Sequence, residues 1–565
     1  MNLGQSFCFD DVLMEPLLSD IVTRSSINLE TNIGTNGRQL ILKTPLISSP
    51  MDTVTETDMA IKMAENGGLG IIHRYMDIDT QVSQVMKVKR FLQYIITEPY
   101  KIYPETTLLE IEELRELYNV SSFCVIDVNN NLLGIITRRD IEYMKQKYYD
   151  IQSTEIQTQE KNKKLKNHQE QQSVEKQNQS IILTVKEFMS VNLITLDMSI
   201  TQHSLETTLS ISKELMLENK IEKIPIVNNS VLVGLITLNN IKHYENNKGN
   251  ACIDTNGALC VGAAIGIIGD YLERLDKLIN VGVDLICIDV ANGFNKNVFE
   301  AITQIRSKYQ HIVLMVGNVC NWQGYEALSK YDVDCIRVGV GNGSICTTRL
   351  ETGIGKGQFS AVSECFKYKI EHNTIPNTIP NTIPNTMSNT IPNTMPNIIC
   401  DGGSLGKTGN KMKALACGSS AIMLGRTLAS TEESPGTIIY RNGKRFKYIR
   451  GMASTMANLS KQEKTDLNTP SINTNNTNNS NSNINTNNKK LKTKFTAEGV
   501  DGEQELSGSV VDVIEQINGG LKSGLSYLGC KTINEVHKKS AQDKIKFNIV
   551  TSIGMSETGI RVKTY

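Results

Sequence analysis

IVLMVGNVCNWQGYEALSKYDVDCIRVGVGNGSICTTR, residues 312–349, holds one full repeat of the pattern on which this chain is built. An apolar run ends in a polar turn, a helix-period segment follows, and a second apolar run stops at glycines. Working outward, the same kind of run recurs as PLISS (45–49), LGIIH (69–73), LCVGA (259–263), LICID (285–289), IICD (398–401) and AIMLG (421–425). With IVLMV (312–316) and CIRVG (335–339) that makes eight. Short apolar runs without alternation are what parallel strands buried on both faces require, and eight of them alternating with helices predict a closed (β/α)₈ TIM barrel. The polar residues Ser49, His73, Asp289, Asn318 and Asp401, with Met51, Gly425 and the loop 341–348, fall just past the strand ends, where such a barrel keeps its chemistry.

The barrel pattern is interrupted between the second and third runs. There FCVIDVNNNLLGIITRRDI (123–141) is echoed by IPIVNNSVLVGLITLNNI (224–241), each copy reading as a strand, an Asn-rich turn, a second strand and a helix start. This predicts a paired hairpin module over 99–247 inserted into a barrel made of 1–98 and 248–565. Three stretches lack apolar periodicity and are expected to be loosely ordered insertions: 152–180, the NTIP repeat of 373–397, and the Asn-rich 468–490.

With 59 basic and 59 acidic residues the chain has no net charge, and no basic face recurs, so nucleic acid is not expected as a partner. Neither a secretory signal nor an apolar stretch of membrane-spanning length is present in the sequence, and the twelve cysteines show no CxxC or metal spacing. The expectation is a soluble protein of a reducing, cytoplasmic compartment with no membrane partner.

The sharpest chemical feature is GVGNGSICTTR (339–349). Its glycines let backbone N–H groups approach a phosphate, Ser344 adds a hydroxyl, and Cys346 projects from a polar loop, whereas most other cysteines lie in apolar runs. DGGS, from Asp401 through Gly402 and Gly403, and MLGR, with Gly425 and Arg426, end the seventh and eighth strands, where barrels commonly bind phosphate. A carboxylate at Asp401 suits ribose hydroxyls.

Taken in order, SSPMDTVTE (48–56), GNGSICTTR, DGGS, MLGR and RGMAS (450–454) resemble the IMP dehydrogenase and GMP reductase family. The resemblance implies that Cys346 bonds to purine C2, with Thr348 beside it and Glu498 of AEGVDG behind it as a proton relay. It assigns Ser49, Met51, Arg337, Gly341, Ser344, Asp401, Gly402, Gly403, Gly425, Arg426, Gly451 and Met452 to a purine nucleoside monophosphate, GMP or IMP. Asp289, Asn292, Gly293 and Asn318 fall on the side of a nicotinamide cofactor, NADPH or NAD. The loop with Gly341, Gly343 and Cys346 resembles a potassium site, and relatives form homotetramers that pair into octamers. The insert resembles a tandem cystathionine-β-synthase (CBS) domain pair. There Asp140 of TRRD is the residue expected to hold the ribose of a regulatory purine nucleotide, while the second copy carries Asn240 instead.

Two reactions share this machinery. IMP dehydrogenase must hydrolyse its adduct, and its flap carries an Arg-Tyr pair to activate water; GMP reductase releases ammonia and lacks the pair. Residues 455–497 contain neither Arg nor Tyr. DVANG (289–293) and CTTRLETGIGKGQFSAVSEC (346–365) also resemble the reductase, while Ile449, where dehydrogenases usually place a tyrosine, departs from the pattern of base or phosphate contacts at that point. The inserted pair and EGVDG are more familiar from dehydrogenases. The sequence reading is GMP reductase, with IMP dehydrogenase as the alternative; a degenerate barrel that only senses nucleotides is disfavoured by the joint presence of Cys346, Thr348, Arg349, Asp401 and Glu498.

Overall fold

All eight apolar runs form strands in the computed structural model, which describes residues 4–91, 95–118, 120–165, 183–197, 205–247, 249–373, 394–403, 405–454, 497–551 and 554. They are β1 (Leu46–Ser48), β2 (Leu69–Ile72), β3 (Val261–Ile265), β4 (Leu285–Asp289), β5 (Val313–Val319), β6 (Cys335–Val338), β7 (Asn397–Asp401) and β8 (Ala421–Leu424). Every neighbouring pair is parallel, and β8 pairs with β1 to close the barrel. Side chains two apart fill its interior, among them Leu69 and Ile71, Leu285 and Cys287, Val313 and Met315, and Ala421 and Met423. The intervening Ile286, Leu314, Ile336 and Ile422 are equally buried. Burial on both faces is why the runs show no alternation.

The strand starts are plugged by a small antiparallel pair, Thr31–Asn32 with Ile41–Leu42, which brings Ile33, Leu40 and Leu42 into the same core. At the other end of the chain, Ile438–Arg441, Lys444–Arg450 and Asp501–Glu505 make a three-stranded antiparallel sheet. Its last two strands carry the segments 450–454 and 498–500 back together.

Internal contacts divide the chain into two compact units, 1–91 with 249–565, and 92–248. The division falls at 91/92 and not at 98/99, because Ile96 exchanges both backbone hydrogen bonds with Leu235 of the insert. Within the insert the two hairpins are alike in detail. Phe123–Ile126 pairs with Leu132–Ile136, Lys223–Asn228 with Val231–Thr237, and in each the register shifts at the equivalent step, after Val125 and after Ile226. Each hairpin also takes a short parallel strand on its edge, Lys101–Ile102 in one copy and Leu196–Asp197 in the other. The helix Arg138–Leu165 runs on through 152–165, part of the first stretch read as loosely ordered. Gln, Glu and Lys are good helix formers, so a segment without an apolar face can still prolong a helix. Residues 166–180, 374–393 and 468–490 lie outside the described residues; Asn397, placed by the sequence in the repeat, begins β7.

Candidate active site

The loop that follows β6 is built around Cys346. Gly339, with φ +148°, has no room for a Cβ, which would overlap the carbonyl oxygen of Asp401, and Gly341 also sits at positive φ. The turn is closed by the Cys346 N–H donating to Gly343 O at 3.1 Å. Three strands of loop then lie side by side: Val500 N donates to Ile345 O at 3.0 Å, Thr347 N to Glu498 O at 2.9 Å, and Gly451 N to Val500 O at 3.1 Å. This stitching brings residues 150 apart in sequence into one row. Cys346 Sγ lies 3.2 Å from Thr348 Oγ1, and Thr348 Oγ1 donates to Glu498 Oε2 at 2.8 Å. Thiol, hydroxyl and carboxylate form a continuous path for a proton, and the thiol stands at its head, partly exposed.

Beside it runs a second row, centred on Arg337 at the end of β6. Its Nη1 donates to Asp289 Oδ1 at 2.7 Å and its Nη2 to Asp401 Oδ2 at 2.8 Å, which Asn318 Nδ2 also reaches at 2.8 Å. Arg337 is 6 % exposed. Burial by itself would lower its pKa, but Asp401 and Asp289 more than offset that and raise it above its ordinary value. The guanidinium therefore ties the two carboxylates together and holds Asp289 and Asp401 in place. Gly293 N donates to Asn318 O at 2.8 Å, which brings the Asp289–Gly293 turn onto the same row. Asn292 Oδ1 caps its own turn by accepting from Phe294 N at 3.1 Å.

Gly402 and Gly403, both at positive φ, wrap the DGG turn around Asn342, whose Nδ2 donates to Asp401 O at 2.8 Å and also bonds Gln358 Oε1. On the opposite wall Gly425 faces Met51 Sδ and Ser49 Oγ, a Cβ there meeting them at 3.3 and 3.6 Å. Met452 Sδ accepts from Asp52 N at 3.4 Å, so the 450–454 segment closes against the end of β1. Ser344 is exposed in the loop. Arg426, next to Gly425, donates from Nε to Gln504 Oε1 of the added sheet at 3.0 Å.

Several supporting residues were not singled out from sequence. Gln358 Nε2 donates to Val338 O at 2.6 Å and holds the end of β6. Arg450 pairs with Asp52 at 2.8 Å, and Arg74 reaches Asp289 O at 3.4 Å while its Nε, buried, has no hydrogen-bond partner among the described residues. Position just past a strand end was the only available signal for Arg74. In the insert, Asp140 Oδ2 accepts from Thr137 N and Oγ1 at 2.8 and 2.7 Å, and in the second copy Thr237 Oγ1 donates to Asn240 Oδ1 at 2.5 Å. Among the described residues no cluster of three or more His, Cys, Asp or Glu is placed to hold a metal, and no helix is long and apolar enough to cross a membrane.

A barrel whose mouth sets a thiol against a hydroxyl–carboxylate path, beside two acids joined by an arginine, has the form of an active site. Comparison with known proteins makes the class specific: residues 6–561 match the IMP dehydrogenase / GMP reductase domain family. The inosine-5′-monophosphate dehydrogenase of Nitrosopumilus maritimus is 34 % identical over 541 residues, covering 96 % of each chain, and that of Aquifex aeolicus 33 % over 563 residues, covering 99 % of this chain and 96 % of its own. Among solved structures, GMP reductase of Trypanosoma brucei in complex with guanosine 5′-monophosphate superposes with a TM-score of 0.76 at 29 % identity, covering 100 % of this chain and 99 % of that one. The same enzyme in complex with guanosine 5′-triphosphate gives 0.66 at 26 %, covering 97 % and 99 %. The chain belongs to this family of oxidoreductases, which act on purine nucleotides with a nicotinamide cofactor.

Proposed function

We propose that the protein is a GMP reductase, converting GMP and NADPH to IMP and ammonia. The observation that carries this reading is the composition of 455–497, which offers no Arg or Tyr to activate water. Deamination asks only for a proton path at the thiol, and the 3.2 and 2.8 Å contacts from Cys346 through Thr348 to Glu498 supply one. In this reading Cys346 Sγ bonds to C2 of GMP, and the C2–N bond breaks as Glu498, through Thr348, delivers a proton to the departing ammonia. The bound nicotinamide supplies the hydride that C2 then accepts. The S–C2 bond breaks last, freeing IMP and the Cys346 thiolate. GMP, NADPH and two protons thus balance IMP, NADP⁺ and ammonium.

Ser49, Met51, Arg337, Gly341, Ser344, Asp401, Gly402, Gly403, Gly425, Arg426, Gly451 and Met452 line the nucleotide, with Asp401 on the ribose. Asp289, Asn292, Gly293 and Asn318 face the cofactor. Backbone carbonyls of Gly341, Gly343 and Cys346 hold potassium; Gly343 O accepts one hydrogen bond and keeps a second lone pair for it. The insert is a CBS pair in which Asp140 Oδ1, on the oxygen not engaged by Thr137, takes a purine ribose. The enzyme works as a cytoplasmic homotetramer or octamer. The alternative, NAD-dependent oxidation of IMP, draws on the dehydrogenase relatives at 33–34 % identity. Turnover of GMP with NADPH deuterated at the transferred position tests the proposal: IMP should carry deuterium at C2 and form with one ammonia per NADPH consumed. Unlabelled product, or NADPH oxidation without ammonia, would contradict it.

A further inference from the structure

The floor of the barrel, at the strand starts, has a cavity of mixed polar and apolar lining that the site at the mouth does not use. Its volume is about 380 Å³, at the small end of ligand pockets, and it opens between the helices Gln358–Asn373 and Ile533–Ala541, under the first residue of β7 and Ser420 just before β8. Lys369, His537, Lys538, Asn397, Ser420 and Asn534 are among its polar lining, with Thr31 and Asn32, and no Asp or Glu is among the described residues that line it.

Lys369 is the informative member. Its Nζ lies 3.3 Å from Asn397 Oδ1, an oxygen that already accepts from Ser420 Oγ at 2.9 Å. It forms no ion pair among the described residues, and residues 374–393, which follow its helix, contain no Asp or Glu. Burial pushes its ammonium down to about 8. A lysine near a helix C-terminus often complements the helix dipole, but this nitrogen is directed across to β7 and away from its own helix carbonyls. His537 packs its ring on Phe366 at 5.7 Å and places Nε2 3.1 Å from Ser419 O, and burial, helped by the Lys369 charge, keeps the ring neutral at the cavity wall. A desolvated cation without a counter-ion is costly, and an anion from solution would remove that cost.

We propose that this cavity binds a small oxyanion of the phosphate class, with Lys369 at its inner wall, exposed Lys538 at its rim and Asn534 as a further donor. The room suits a free dianion and is tight for a nucleotide. Strand polarity puts the cavity at the far end of the barrel from Cys346, so the anion acts on the stability of the barrel and leaves turnover alone.

The test uses the full-length protein with GMP saturating the mouth, so that added phosphate cannot report on the nucleotide site. Melting is followed against inorganic phosphate at constant ionic strength, with chloride as reference. Phosphate should raise the melting temperature of the wild type saturably. Lys369→Met should shift the half-saturating phosphate concentration upward about tenfold to a hundredfold, the loss of one charge-assisted hydrogen bond, with turnover unchanged. Should Lys369→Met fail to fold, Lys538→Gln at the exposed rim should still show a weakened phosphate response. No saturable stabilisation of the wild type over chloride, or an identical phosphate response in the folded variants, overturns the proposal.

Discussion

Cys346 differs from its counterparts by position more than by chemistry. Nine of the twelve cysteines are buried, and burial pushes Cys287 and Cys400 up to about 12 and raises Cys320 as well. A thiol held neutral and screened reacts slowly with electrophiles. Iodoacetamide is therefore expected to label Cys346 ahead of those buried thiols, and saturating GMP to protect it; peptide mass mapping that finds Cys287 or Cys400 labelled as fast would contradict this. Thr348→Val and Glu498→Gln should each lower turnover by about 10² to 10⁴, the usual worth of general acid–base help, with far smaller effects on GMP binding measured by calorimetry. Equal losses in binding and turnover would make the pair a nucleotide-holding device. The thiol was legible from its glycine loop only in the context of the DGGS and MLGR loops at the neighbouring strand ends, because a cysteine in a glycine loop is by itself more often structural. Asn342, Gln358 and Arg74 were not, because their bonds to Asp401, Val338 and Asp289 cross 59, 20 and 215 residues, and no local pattern announces such partners.

The strand-end turns show what the elements contribute. Gly339→Ala adds a Cβ against Asp401 O at a φ that side chains avoid, and should cost about 2–4 kcal/mol, read as a lower melting temperature of the barrel unit together with weaker nucleotide binding. A variant as stable as the wild type would show that the turn relaxes freely. On the helix Ile533–Ala541, burial holds His537 down to about 4, against about 6.5 in an unfolded chain. Because the folded value is depressed, the neutral ring contributes stability that is complete above about pH 6.5 and is lost as pH falls toward 4. In phosphate-free buffer His537→Gln should flatten that part of the stability–pH curve; an unchanged acid limb would assign it to other groups. Barrel strands were readable because burial on both faces leaves uninterrupted apolar runs. The length of the helix Arg138–Leu165 was not, since helix propensity without an apolar face leaves no periodic trace.

At the scale of the molecule, the chain interrupts a closed barrel with one folded unit, and its low-complexity stretches fall in sequence between the described elements. Loop closure grows only slowly more costly with length, so replacing 374–393 by a short Gly-Ser linker should leave melting temperature and turnover nearly unchanged. A fall of many degrees would mean that the repeat packs on the barrel. The two branches of the family share this whole architecture, which is why relatives named as dehydrogenases and structures named as reductases match the same chain over nearly its full length. In the proposed reading the direction of the reaction rests instead on a few residues at the second chemical step. Initial rates with GMP plus NADPH, set beside those with IMP plus NAD under the same conditions, test the central claim most directly. The account predicts rapid NADPH oxidation with stoichiometric ammonia and slow or undetectable NADH formation; rapid NADH formation from IMP with no NADPH oxidation by GMP would contradict it.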